Sequence, residues 1–233
     1  MNRVLGAARM QLAHPLLAFG VPVAIVASSF AINLAIWGVG DVADQSPGDG
    51  STGGLASLYI TVLVIFIQAV TQIFPFAMGL SLSRRTFYLG TALLAVVHSL
   101  AYGIAIAVLT SIEDATGGWG ADMAFWAPGP LHVDNVALQV LVSGAPMLAF
   151  LFAGIGIGVI SKRWGPSGVW VLSIGGMVAL GGLVVLFSWL EAWPAIGSWL
   201  SDQSVTTLAV GLPAALSLVV ALAAFAGIRR VVP

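Results

Sequence analysis

The chain has 233 residues, of which 59% are hydrophobic and only 7% charged. Soluble domains carry about a quarter charged residues, so this composition excludes a water-covered surface and points to a polytopic membrane protein. Cysteine is absent, which excludes disulfides, thiolate metal sites and cysteine nucleophiles.

Arg3 and Arg9 open the chain ahead of a long apolar run. They resemble the charged start of a secretory signal, yet the run continues from Leu16 to Gly38 without a small-x-small cleavage site, so an uncleaved first span is expected. Val4, Leu5, Ala8 and Leu12 share one helical side between the arginines, which suits an interfacial helix over residues 2–13.

Six runs are then long enough to cross about 30 Å of hydrocarbon as helices: 16–38, 56–80, 87–110, 136–160, 168–190 and 205–228. The expected fold is all-α, one transmembrane domain over residues 1–233. Charge fixes its orientation. All eight basic residues (Arg3, Arg9, Arg84, Arg85, Lys162, Arg163, Arg229, Arg230) fall in termini and links of one side under this six-span layout. All nine acidic residues (Asp41, Asp44, Asp49, Glu113, Asp114, Asp122, Asp134, Glu191, Asp202) fall on the other. The positive-inside rule places both termini in the cytoplasm.

The outer links differ in character. Residues 39–55 are rich in Gly, Ser, Pro and Asp and read as mobile. Ile112–Asn135 is longer and carries Trp119, Phe125 and Trp126, which suggests folding against the outer membrane surface. Trp189, Trp193 and Trp199 read as an interfacial aromatic belt, with room for a short re-entrant hairpin.

Between the second and third spans lies Phe74-Pro-Phe-Ala-Met-Gly-Leu-Ser-Leu-Ser-Arg-Arg-Thr-Phe-Tyr-Leu-Gly90. Ser81 or Ser83 can cap a helix starting at Arg84, giving a short, polar cytoplasmic element between two membrane helices.

Polar groups at bilayer depth are few, and no acidic or basic residue sits deep in any span, which weakens an ion-coupled mechanism. His98, beside Ser99, is the one titratable group at depth; it reads either as a relay or, by preference, as a hydrogen-bonded helix contact. Thr61, Gln68, Thr71, Gln72, Pro75 and Gly79 follow helical spacing in the second span. Asn135, Gln139, Ser143 and Pro146 repeat the pattern in the fourth, and Asn33 adds an amide in the first. Such residues line a substrate path or dimer cleft, or join helices at about 1 kcal/mol each. Asn33, Gln68, Thr71, Gln72 and Gln139 are the candidate path, with Gln68 and Gln72 its strongest pair. Gly154, Gly156 and Gly158, then Gly175, Gly176, Gly181 and Gly182, offer small surfaces for close packing.

No metalloprotease, nucleophile-elbow or phosphate-loop motif occurs, nor a metal-ligand cluster. The expectation is a chain that is not an enzyme and holds no cofactor or metal.

The Phe74–Thr91 stretch, the segment Glu113-Asp-Ala-Thr-Gly-Gly-Trp-Gly120 and the six-span layout together resemble the compact six-helix permease subunits of bacterial ABC-type exporters. That resemblance implies an ATP-driven exporter of amphipathic or hydrophobic substrates in the bacterial plasma membrane. It implies a coupling element at Ser83, Arg84, Arg85, Thr86 and Phe87, docked on a separate cytoplasmic ATPase present in two copies that holds ATP and Mg. It also implies a second permease copy, identical or similar, with membrane lipid around it and no nucleic acid partner. The N-terminal helix would touch the ATPase too. One departure stands out: larger members carry re-entrant helices between the last two spans, where this chain has only Glu191–Ser204. The alternatives are a secondary carrier or channel, or a non-transporting immunity or scaffold protein.

Overall fold

The computed structural model describes residues 3–12, 16–39 and 52–231. Most of the expected 39–55 loop, with Asp41, Asp44 and Asp49, lies outside the described residues, as do the two ends of the expected 2–13 helix.

Among the described residues every regular element is helical. Helix α1 covers Arg3–Gln11, and α2 covers Val21–Val39 after a π-helical turn at Leu16–Gly20. Helix α3, Ala56–Gln68, passes through a second π turn, Ala69–Ile73, into α4, Phe74–Gly79. Then come α5 (Arg84–Ala115), α6 (Val136–Trp189), α7 (Trp193–Asp202) and α8 (Leu212–Ile228), the last entered through a π turn at Thr207–Gly211.

Five of the helical runs are long and apolar enough to cross a membrane. The sequence suggests six because α6 joins two of the expected spans into one 54-residue helix. That helix is broken at Gly165, whose φ of 67° and ψ of −162° belong to a region open essentially to glycine alone. Pro166 follows and removes a backbone donor at the same point. The two arms, 136–164 and 166–189, are each of membrane-crossing length.

Contacts fix how the helices run. Ser99 bonds the carbonyl of Gly144, and a β-carbon at Gly103 would meet the Val140 carbonyl, so α5 and the first arm of α6 are antiparallel. Tyr88 and Arg84 reach the carbonyls of Ala221 and Arg229, so α5 and α8 are antiparallel as well. A β-carbon at Gly156 would approach Val220, and one at Gly227 would approach Val159. The first arm and α8 therefore run the same way, and the chain over 166–206 must return from one end of the bundle to the other.

The core lies along α3, α4, α5 and that first arm, where Phe66, Phe74, Phe87, Met147, Leu151 and Ile155 are fully buried. No residue from Ile160 to Leu208 is buried; Val171 and Met177 of the second arm are 73% and 77% exposed. Apolar surface of this kind is at home against lipid tails, which are as apolar as leucine.

Helix α1 packs along the start of α5. Ala7 and Ala8 are buried against α5, where Gly90 leaves room for their backbone, and Gln11 donates to Thr91 at 2.8 Å. The two glycine groups also part company. β-Carbons at Gly154 and Gly158 would meet Leu63 and Val70 of the α3 run, whereas those at Gly175, Gly176, Gly181 and Gly182 would meet nothing within 4 Å.

This contrast is testable. Gly154→Ala drives a methyl into the Leu63 carbonyl and should destabilise the fold by about 1–3 kcal/mol. Gly175→Ala should be neutral or slightly stabilising, since a helix interior favours alanine by roughly 1 kcal/mol. Thermal unfolding of the two variants in detergent separates them.

Candidate functional site

Two ends of the bundle carry the polar chemistry. At the first, the chain turns from α4 into α5 over Leu80–Ser83, with Ser81 in the left-handed region at φ 60°. Ser83 is the cap: its hydroxyl accepts from the Thr86 backbone N–H at 3.1 Å and pairs with the Thr86 hydroxyl at 2.8 Å. No separate helix occupies this link. Arg84 and Arg85 form the first turn of α5 itself, a helix of 32 residues.

The five residues of this segment divide by exposure. Ser83 and Arg85 are exposed, and Arg84 and Thr86 are half-buried. Arg84 donates to the Arg229 carbonyl at 2.8 Å, so it also caps the C-terminal end of α8. Phe87 has no exposed surface; its ring meets Phe74 edge-on at 5.3 Å. It belongs to the core rather than to any docking surface in this conformation.

Arg163 and Arg230 line one cavity between the first arm and α8, and Arg229 lies over the Phe225 ring. With α1 packed on α5 at Gly90, the basic residues of the chain gather at one end.

The acidic end is organised by Glu113, which is 4% exposed in the last turns of α5. One carboxylate oxygen accepts from the Trp119 indole N–H at 3.1 Å and from the Phe125 backbone N–H at 3.0 Å. The Trp126 N–H reaches both oxygens, at 3.3 and 3.4 Å. Three donors from one loop thus converge on one side chain. The loop reaches it through a tight passage in which Gly117, Gly118, Trp119 and Gly120 all have positive φ. A side chain at Gly118 would collide with the Met123 backbone. Asp114 pairs with His132 at 2.9 Å on the rim.

Closure buries aromatic surface. Phe125 is fully buried, and Phe30 of α2 meets the rings of Trp119, Phe125 and Trp126 at 5.0–5.7 Å. The loop therefore caps the helix bundle. The Glu113–Gly120 segment was notable in sequence without a role; its role is this clasp.

The candidate path residues do not converge. Asn33 bonds back to the Ser29 carbonyl at 2.8 Å and sits beside Gly54, just ahead of α3. Gln139 is buried: its oxygen accepts from Val133 and its nitrogen donates to Ser143, tying the end of the loop to the first arm. Asn135 caps that arm by accepting from Leu138. Thr71 bonds its own helix at the Ile67 carbonyl. Asn33 and Gln139 line two different cavities.

Gln68 and Gln72 stand apart. Both are exposed, one at the last position of α3 and one inside the π turn that follows. They lie near the middle of the 24-residue run Ala56–Gly79, at the depth where an amide facing hydrocarbon is most costly.

His98 takes the packing role. Its Nδ1 is 3.0 Å from the Leu94 carbonyl on its own helix, and its ring stacks on Phe19 at 4.3 Å. The Tyr102 hydroxyl beside it is buried without a hydrogen-bond partner among the described residues.

Comparison with family models, with curated proteins and with solved structures finds no match to this chain.

The clasp yields a graded prediction. Glu113→Leu strands three N–H donors at roughly 1–3 kcal/mol each, and should loosen the 117–135 loop to protease. Glu113→Gln retains one oxygen and should lose markedly less. Thermal unfolding and limited proteolysis of both variants against wild type check the order.

Proposed function

We propose that this chain is the membrane-spanning permease subunit of an ATP-driven exporter in the bacterial plasma membrane. On this reading it crosses the bilayer six times, with the break at Gly165 turning α6 into the fourth and fifth crossings. Both termini face the cytoplasm. Two copies, or one copy with a similar partner, form the pathway, and two ATPase subunits bind ATP and Mg and drive it. The transported substrate is amphipathic or hydrophobic.

The observation that best supports the reading is the construction of the basic end. Ser83, Arg84, Arg85 and Thr86 form a capped first turn, exposed at Ser83 and Arg85, that is continuous with a full-length membrane helix. A push on such a turn is delivered to the other side of the bundle without an intervening hinge. The exposed amides of Gln68 and Gln72 add support for pairing. A primary amide facing lipid leaves two donors and an acceptor unpaired, and a second copy presenting the same surface satisfies both.

The test is co-purification of the full chain, in mild detergent, with a co-expressed candidate ATPase subunit. Arg84→Glu/Arg85→Glu should weaken retention roughly tenfold, about 1.4 kcal/mol, without altering the elution of the membrane subunit. Absence of any associated ATPase, or unchanged retention by the double variant, would sink the exporter reading and leave a carrier or scaffold.

Crossing number is tested separately, because the chain has no native cysteine to mask. Single cysteines at Ser167 and Ser201 should label from opposite sides of sealed vesicles; labelling from the same side removes the fifth crossing.

A further inference from the structure

We infer that the groove between the first arm of α6 and α8, at the basic end, is a binding site for an anionic phospholipid. It is independent of whether the chain exports anything.

The groove encloses about 670 Å³, within the range of small-molecule sites. Its floor is set by two close approaches: a β-carbon at Gly156 would come within 3.2 Å of Val220, and one at Gly227 within 2.9 Å of Val159. The walls are aliphatic, with Ala153, Ile157 and Ile160 from one helix and Val219, Ala223 and Ala226 from the other. Leu172 of the second arm closes part of the side.

The mouth is different. Arg163 of the first arm and Arg230, just past the end of α8, stand at it, both exposed. The Arg163 guanidinium lies 4.4 Å from the centre of the Trp164 ring, which holds it at the rim. Among the described residues lining the groove there is no carboxylate to neutralise either arginine. The described acidic residues of the α5 end and its loop, Glu113, Asp114, Asp122 and Asp134, belong to the opposite end of the bundle.

An apolar slot opening on two uncompensated guanidinium groups has one complementary occupant in a bilayer. Acyl chains fill the slot along the helices, and a phosphodiester sits between the arginines, which bind phosphate oxygens through paired N–H donors. Basic pockets between membrane helices on the inner side recognise anionic headgroups on this principle. A zwitterionic lipid brings its own cation to the same place and loses the advantage. A free phosphate lacks the chains that the slot accommodates.

The test uses the full chain in detergent, titrated with phosphatidylglycerol or phosphatidylcholine and read by native mass spectrometry and thermal shift. Wild type should retain phosphatidylglycerol in preference. Each arginine is worth about fivefold against an anionic surface, so Arg163→Gln/Arg230→Gln should lose roughly 30-fold of that preference. Arg3→Gln/Arg9→Gln, equal in charge removed but outside the groove, should keep it. Ala223→Phe, which fills the slot and leaves both arginines, should reduce retention of either lipid, while glycerol phosphate should not compete. Equal retention of the two lipids by wild type overturns the site. So does a preference that survives the groove double variant, or one that falls equally in the Arg3/Arg9 control.

Discussion

At the centre of the molecule Gly103 of α5 and Gly144 of α6 bring two backbones together: a β-carbon at Gly103 would fall 2.7 Å from the Val140 carbonyl oxygen and 3.2 Å from Gly144. In a bilayer no hydrophobic force draws helices together, since lipid and side chain are equally apolar, so association rests on close packing and on hydrogen bonds across the contact. This contact has both. Ser99 donates to the Gly144 carbonyl one turn away from Gly103, and larger residues on either side, Ile106 and Met147 among them, are fully buried. Helices α1, α3 and α8 each lean on one of these two helices, while α2 packs on α3 and on the loop after α5. Helix α3 lies on the first arm through Gly154 and Gly158, α8 lies on it through Gly156, and α1 lies on α5 through Gly90.

The same arrangement explains why polar residues collect at the two ends. With the middle of α5 occupied by close contacts, its ends carry the connections between helices. Ser83 caps the first turn, and Arg84 satisfies a carbonyl at the end of α8. At the far end Glu113 gathers three donors from a loop that would otherwise leave them buried and unpaired. A carboxylate suits that place because it presents only acceptors to a set made only of donors.

Much of this was legible in the sequence, and the reasons it stopped being legible are physical. Long apolar runs mark helices wherever water is absent, and Ser83 ahead of Arg84 marks a helix start by its hydroxyl alone. What periodicity could not carry was the effect of the π turns. At Ala69–Ile73 the chain bonds five residues back instead of four, so positions beyond it rotate away from the face that a 3.6-residue period assigns them. Gly79 therefore does not extend the face of Gln68, where a 3.6-residue period would place it. Hydroxyls misled in another way, because Thr61 and Thr71 bond to their own helix and have no donor left for a path. Gln139 and Glu113 needed tertiary information: one ties a loop end, the other a clasp whose donors lie as many as thirteen residues further along the chain. A cue for the clasp was present in the glycines after Glu113, since Gly117, Gly118 and Gly120 all adopt positive φ and allow the chain to double back.

Stiffness is consequently uneven along the chain. From Ser83 to the cap at Asn135 the protein is continuously tied: a capped start, close contacts along the middle, a carboxylate clasp, then the cap of the next helix. Beyond Gly165 the ties cease. The second arm and α7 bury no residue, their glycines from Gly175 onward face open space, and their hydrogen bonds are with near neighbours in sequence. The stretch 166–206 is thus joined to the bundle by a glycine at one end and a π turn at the other, with lipid-facing apolar surface between. Packing density decides which parts of a protein move as one body and which move separately. By that measure α5 with its two ends is the rigid frame, and the returning arm is the part free to be positioned by whatever packs against it: lipid, or another subunit.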